Sequence, residues 1–375
     1  MRPLHPLLAH PSLRDALLKI AGMGLVCAAA GLFVSPDRFW ANALLAGLLT
    51  LTLSLGAAVF LATQAVTGAS WSRGLERVAG PIVSALWVGL ALTAAAVLLG
   101  HHSLYGWVHE AGAHSAHSQE LWLARPFQAV RLAVYAAVWL TLCAGLIRRM
   151  GGEEKGHSEG TRGFAAVFLA VFALTFSAAG MDWVMTLEPH WYSTIFSVYL
   201  FAGAFLGGLA SIAVALSVVR HQEGVRSFVS ESLYHDLGKL LFGFSCFWAY
   251  IIFCQFLLIW YTNIPEETGF FLTRMRGPWG VLMALSVAVN WVVPFFVLMA
   301  SGMKKSPKTL FRVGVCLLFG HWLDLYIVVM PRFLPQGPAL APWELGFHAG
   351  ALALFAWAVA GAWEARQAEP IERSA

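Results

Sequence analysis

"DWVMTLEP", residues 182–189, and "DLYIVVMP", residues 324–331, are the stretches on which the reading of the fold turns. Each closes a long apolar run, and in each an acid precedes a proline by seven residues, about two helical turns. The proline stands where a helix should stop, because it donates no N–H and its ring crowds the turn before it. The two runs lie four apolar stretches apart and cross in the same direction. This reads as an internal repeat of four helices, as in proteins built from duplicated membrane units. The repeat is inexact: His321 corresponds to Ala179, so the second copy has a histidine that the first lacks.

Working outward, 59% of the 375 residues are hydrophobic and only 12% are charged, against about 25% charged in a soluble domain. The chain therefore reads as an all-α integral membrane protein. Ten apolar stretches have the length of a crossing: 16–35, 40–66, 80–101, 126–147, 164–187, 193–219, 238–261, 278–300, 309–331 and 344–363. The longest linkers, near 102–125, 148–163, 220–237 and 262–277, leave no room for a soluble domain. A cleaved signal peptide competes for the first span, which follows Arg2, Arg14 and Lys19 and ends in "CAAAG" at 27–31. Its charges lie far from the start and its apolar run is long, which favours a retained span.

The repeat divides the ten transmembrane helices into two related four-helix bundles and two flanking helices. The expected units are a flanking helix at 1–39, bundles at 40–191 and 192–335, and a flanking helix with its tail at 336–375. Of the 24 Lys and Arg residues, 18 fall on the side that holds the N-terminus and 6 on the other. The positive-inside rule then puts both termini in the cytoplasm and "MDWVMTLEPHW" outside. The net charge of +4 describes loops and gives no reason to expect nucleic acid.

A carboxylate at the centre of a membrane helix costs about 2.5–3.5 kcal/mol on insertion scales, and less towards the interface. Such acids usually face other helices and often mark ion, proton or ligand paths. Asp182 and Asp324 are the candidates, with His321 three residues before Asp324 on the same helix face. A histidine–carboxylate pair is a proton acceptor in waiting. The alternative is structural: either acid caps a neighbouring backbone or pairs with Arg131 or Arg332 to hold helices together.

His235, Asp236 and Lys239 mark the cytoplasmic mouth of the seventh span, where snorkelling and topology are the plain explanation. Tyr250 and Gln255 stand higher on that helix. Lys239, Tyr250 and Tyr261 are spaced by 11 residues and so share a face, which suggests a track across the membrane. Asn290 precedes Pro294 by four residues, where its side chain can satisfy a carbonyl freed at a kink.

Trp191, Trp260, Tyr261, Trp279 and Trp343 near span ends read as the interfacial aromatic belt. All five cysteines, Cys27, Cys143, Cys246, Cys254 and Cys316, fall inside spans and form no CxxC pair. Iron–sulfur or structural zinc ligation is not expected. Of the histidines, only His321 is deep in a span, with His348, His101 and His102 nearer the ends, so an intrinsic b-type haem lacks its ligand pair. The loop "GHHSLYGWVHEAGAHSAHSQE", residues 100–120, has five histidines. Their spacing fits no tight metal site, and the flanks read as an interfacial amphipathic helix.

Three stretches carry a resemblance: "MDWVMTLEPHWYSTIFSVYLFAGAF" at 181–205, "HDLGKLLFGFSCFWAYIIFCQFLLIWYTNIPEETGFF" at 235–271 and "LFGHWLDLYIVVMPRF" at 318–333. They resemble the ActF family, membrane subunits of bacterial alternative complex III (quinol:cytochrome c oxidoreductase), within the NrfD-like, polysulfide-reductase membrane-subunit superfamily. The resemblance covers most of residues 160–335; the first 160 agree in helix pattern and carry few diagnostic motifs.

It implies ten spans with two four-helix bundles, in the bacterial cytoplasmic membrane. It also implies partners: a periplasmic iron–sulfur subunit, c-type haem subunits, a paralogous NrfD-like subunit and small single-span subunits. Complexes of this kind oxidise menaquinol or ubiquinol and pass electrons to a cytochrome c or a terminal oxidase. The chain would supply protonatable groups for a proton path, and a quinone pocket in it stays open alongside a structural role. The paralogue beside the iron–sulfur clusters is the stronger candidate for the oxidation site. A different class remains in view, a repeat-built secondary transporter of protons or a small solute. Against it stand the scarcity of Gly/Pro-broken helices and of opposed charges at the midplane.

Overall fold

The computed structural model describes residues 11–72, 74–106, 122, 124–150, 158–188, 191–222 and 225–368. Every regular element among them is a helix, and 10 helices are long and apolar enough to cross a membrane. The chain is a multi-pass membrane protein.

The spans are α1 (Pro11–Val34), α2 (Pro36–Thr67), α3 (Leu75–Leu99), α4 (Arg125–Met150) and α5 (Glu159–Trp183). They continue as α6 (Phe196–Val219), α7 (Glu231–Thr262), α8 (Gly277–Met299), α9 (Pro307–Val329) and α10 (Pro342–Ala368). All ten expected crossings are present. α5, α7 and α9 start alike: Ser158, Ser230 and Ser306 each accept a hydrogen bond from the backbone N–H three residues on. That cap satisfies one of the donors a helix start leaves open.

Three spans depart from a continuous helix, and each departure has a side-chain partner. α3 is interrupted at Ala85, four residues after Pro81. There Ser54 of α2 donates to the Ile82 carbonyl at 2.8 Å, and Ala85 N–H tightens onto the Pro81 and Ile82 carbonyls, both at 3.2 Å. α5 was expected to run to 187 but ends its α-helical part at Trp183, followed by a 3₁₀ turn at Met185–Leu187. The carbonyls freed there are taken up: Asp182 O accepts from Thr186 at 2.7 Å and Gln128 at 3.3 Å, and Trp183 O accepts from Tyr105 at 3.3 Å.

α8 contains a π-helical turn at Ala288–Val292, just before Pro294. Here the expectation for Asn290 needs correcting. Its own carbonyl is the one that Pro294 leaves without a helical donor, and Ser245 of α7 supplies it at 2.6 Å. The Asn290 side chain reaches Gly320 O of α9 and Ser286, both at 3.1 Å. In a bilayer these partners stand in for water.

α2 is enclosed by protein along its whole apolar window. It touches α3, α5, α6, α9 and α10, while α1 lies against α10. α6 contacts α7 and α9, and α8 sits between α7 and α9. The α2–α6 crossing is close, because Gly56 meets the backbone of Ala204 and Gly208. A Cβ at 56 or 208 would collide with the opposite main chain. Small residues at such crossings are how membrane helices approach without a hydrophobic driving force.

Part of the expected linker 262–277 forms a helix, Pro265–Met275. Two of the expected belt residues are buried: Trp191 stacks on Phe270 of this helix with ring centroids 3.9 Å apart, and Trp279 donates to Leu334 O beyond α9 at 3.2 Å. Trp260 and Tyr261 are exposed, as a belt requires. Of the histidine-rich loop 100–120, whose flanks were expected to form an amphipathic helix, His101–Leu104 is a single helical turn and 107–120 lie outside the described residues, as do Pro189 and His190.

Gly208→Ala should lower stability by about 1–3 kcal/mol, the usual cost of overpacking. Gly243→Ala meets no atom within 4 Å and should be neutral or slightly stabilising. Thermal unfolding of the two variants in detergent, beside the parent, measures the difference.

Candidate functional site

Asp324 lies on α9 and is buried between α6 and α7. Its carboxylate accepts from Tyr199 Oη of α6 and from Trp248 Nε1 of α7, the latter at 3.2 Å. Among the described residues no lysine or arginine pairs with it. Its hydrogen-bond donors in the structure are therefore neutral groups.

His321 stands one turn earlier and is also buried. Its Nε2 is 2.8 Å from Thr52 Oγ1 of α2. Thr52 has one hydroxyl proton, which Leu48 O takes at 2.7 Å. The threonine is then the acceptor, the ring proton sits on Nε2, and Nδ1 is a bare lone pair. Nδ1 has no partner among the described residues.

Both reactive atoms look onto one glycine. A Cβ on Gly203 would lie 3.2 Å from His321 Nδ1 and 3.5 Å from Asp324 Oδ2, and one on Gly207 would lie 2.9 Å from the imidazole Cδ2. Gly203 and Gly207 of α6 thus make room for the pair. The structure brings His321 beside Asp324, as their spacing implied.

Asp182 has the opposite surroundings. Arg131 of α4 grips it in a fork, Nε to Oδ2 at 2.7 Å and Nη2 to Oδ1 at 3.0 Å. Tyr135 adds a bond to Oδ2 at 2.8 Å and Trp122 one to Oδ1 at 2.9 Å. The guanidinium also donates to Trp122 O at 2.8 Å and lies over the Trp122 ring, 4.1 Å from its centroid. This carboxylate is neutralised and saturated, which is the structural alternative, here with Arg131. Arg332 pairs with neither acid among the described residues.

The remaining candidates do not converge on Asp324. Lys239 bonds Asp236 at 2.6 Å, with His235 3.9 Å from the same carboxylate and 3.4 Å from Ser301. The Lys239 side chain is 57% exposed and Tyr250 is 61% exposed. They share a face, and it is the outer one. Helix geometry makes this necessary: Tyr250 is two residues from Trp248, about 200° around the axis, and Lys239 is nine, about 180°. Gln255, seven residues on, returns to the inner face; it is buried and donates to Ser193 at 3.3 Å. Tyr250 instead lines an apolar groove of about 510 Å³ between α7 and α8, with Phe253, Phe256, Met283, Trp291 and Phe295.

Sequence reasoning missed the partners. Tyr199, Trp248 and Thr52 carry no motif, and a tyrosine or tryptophan in a span reads first as core or belt. Arg274 was only a topology charge, yet it is buried and donates to Ile327 O at 3.0 Å, Val328 O at 2.7 Å and Phe270 O at 3.0 Å. Its fourth bond, 2.7 Å to Glu188, ties the end of α9 to the segment after α5. A second buried set was missed too. Glu344 of α10 accepts from Arg38 at 2.7 Å and Asn42 at 2.9 Å, and Asn42 Oδ1 lies 2.9 Å from His348 Nε2.

No protein-family model matches this chain, and no curated protein does.

Removing one partner of a buried ion pair strands the other charge and costs about 3–5 kcal/mol. Arg131→Met should therefore destabilise strongly. Asp324→Asn strands no charge and gives up one hydrogen bond, about 1–3 kcal/mol. Melting temperatures in detergent should fall in that order, and the reverse order would contradict the contrast between the two acids.

Proposed function

We propose that this chain is the proton-carrying membrane subunit of a bacterial respiratory complex that oxidises quinol and passes electrons to a cytochrome c or a terminal oxidase. The observation that carries the reading is Asp324: a buried acid held by neutral donors, beside a histidine whose Nδ1 is bare and turned to the same glycine. An acid needed only to hold helices is better served by an arginine, as Asp182 is.

The proposal includes two related bundles, α2–α5 and α6–α9, flanked by α1 and α10. In support, the neighbour pairs α2/α3, α2/α5 and α4/α5 recur as α6/α7, α6/α9 and α8/α9. The cross-contacts α2/α9 and α5/α6 exchange under the same correspondence. Both termini lie in the cytoplasm, and Asp324 stands in the outer half of the membrane. The redox identity rests on the resemblance of residues 160–335 to the ActF family. On this reading an iron–sulfur subunit, c-type haem subunits and an NrfD-like paralogue take the electrons.

Quinol oxidation releases two protons with two electrons, so a site on the outer side needs acceptors that pass protons outward. His321 Nδ1, one turn nearer the cytoplasm, takes the proton first. Asp324 Oδ2, the oxygen nearer Gly203, is the next acceptor outward, reached through one bridging water, while Tyr199 holds Oδ1. The Thr52 bond keeps the other imidazole nitrogen occupied, so the ring presents the same atom each time. Tyr250 and Lys239 belong to the outer face of α7 and are left out of this relay. Menaquinol or ubiquinol contact with this chain, if the complex uses it, fits the apolar groove between α7 and α8 better than the filled space at Asp324.

Asp324→Asn in complexes shown to be fully assembled should slow quinol oxidation or proton release at least tenfold. Unchanged turnover with unchanged proton release rejects the role, and loss of assembly favours the structural alternative. The transporter reading is separated by purification: a redox subunit brings haem absorbance with it, and a carrier comes colourless. For orientation, a cysteine at position 305 should resist an impermeant label in intact spheroplasts while one at 266 reacts, and the reverse pattern overturns it.

A further inference from the structure

At the ends of α6, α7 and α9, away from Asp324, a cavity of about 480 Å³ is lined by Arg220, His221, Arg226, Tyr234, Ser306 and Lys308. Among the described residues three permanent cations line it and no carboxylate does. Among the described residues none of the three forms an ion pair. Arg220 Nε donates to His221 Nε2 at 2.9 Å, which makes the imidazole an acceptor and leaves the two Nη groups of the guanidinium to point elsewhere.

A second observation is independent of the charges. Tyr234 is only 2% exposed, yet its hydroxyl completes no hydrogen bond of good geometry, with Arg220 and Ser217 as its neighbouring polar side chains. A buried hydroxyl is costly to leave unpaired, and this one belongs to a residue of the cavity wall. The start of α9, a 23-residue helix, faces the same space through Ser306 and Lys308. Helix starts favour anions by their dipole and open N–H groups.

We propose that this cavity binds the phosphate headgroup of an anionic phospholipid. Phosphate matches the inventory: cations for its charge, and a tyrosine hydroxyl and a helix start as neutral donors. The lipid source follows from position. α6 ends at Val219, α7 begins at Glu231 and α9 begins at Pro307, so the cavity opens at headgroup level, with Val229 and Pro307 continuing its wall towards the apolar spans. Basic pockets between spans are where acidic headgroups bind. The assignment rests on the membrane spans alone and is independent of the redox reading.

The test uses the full-length chain, purified in neutral detergent and stripped of lipid. Short-chain phosphatidylglycerol, phosphatidylcholine and inorganic phosphate are titrated separately, with melting temperature and native mass spectrometry as readouts. Phosphatidylglycerol should raise the melting temperature saturably and stay bound, and phosphatidylcholine should do neither. Arg220→Gln with Arg226→Gln should weaken the midpoint about fivefold per removed cation. Tyr234→Phe, which removes only a hydroxyl, should weaken it by less, and it decides the matter if the double variant does not fold. Midpoints unchanged in the variants, or equal binding of phosphatidylcholine, would overturn the site. Inorganic phosphate that saturates as well as phosphatidylglycerol and displaces it would overturn the lipid assignment in favour of a soluble anion.

Discussion

The close face of α6 is what the rest of the molecule is arranged around. Ala204 and Gly208 admit the backbone of α2, while Gly203 and Gly207, one residue earlier in each turn, admit the side chains of α9. The pairs are spaced by four residues, so each forms a shallow groove along one side of the helix. Because both grooves lie at the same height, Thr52 of α2 comes within reach of His321 of α9. A larger residue at 203 or 207 would displace the imidazole, and one at 208 would separate α2 from α6. The sterics of four small residues thus precede any electrostatics of the site.

Around that contact, two acids in matching sequence positions have different fates. Asp182 is surrounded by a guanidinium, a phenol and an indole, and its neighbourhood is closed. Asp324 keeps the phenol and the indole, from Tyr199 and Trp248, and lacks the guanidinium. Three residues before Asp324 stands His321, where Ala179 precedes Asp182, and on the proposed reading the imidazole takes the place of the missing charge. If the halves descend from one unit, one copy holds its site as structure and the other keeps it titratable. The irregular helices follow the same economy of partners: Ser54, Ser245 and Thr186 each supply a hydroxyl where a carbonyl is released.

The ten crossings were legible because apolar length is a one-dimensional property, set by bilayer thickness and read directly from the chain. The burial of Asp182 and Asp324 was legible for the same reason, since an acid in such a run has few places to go. The environment of each acid was not. Arg131 lies 51 residues from Asp182 and Tyr199 lies 125 from Asp324, and nothing local announces either pairing. Periodicity also showed that Lys239, Tyr250 and Tyr261 share a face without showing which face it was. Trp248 would have decided the matter, but a tryptophan in a span reads as bulk until its N–H is seen to point at a carboxylate. The loss of the Asn290 carbonyl's donor followed from Pro294, whereas its replacement came from Ser245 on another helix.

Arg274 bears on how the molecule can move. One guanidinium holds two carbonyls at the end of α9, a carbonyl of its own helix and the carboxylate of Glu188 beyond α5. α9 cannot slide along its axis or turn about it without releasing that grip in a place where water is scarce. A carrier that rocked one bundle against the other would break and remake these bonds in every cycle. A relay that hands protons between a fixed imidazole and a carboxyl leaves them untouched, so the clasp favours a stiff scaffold in which protons alone travel.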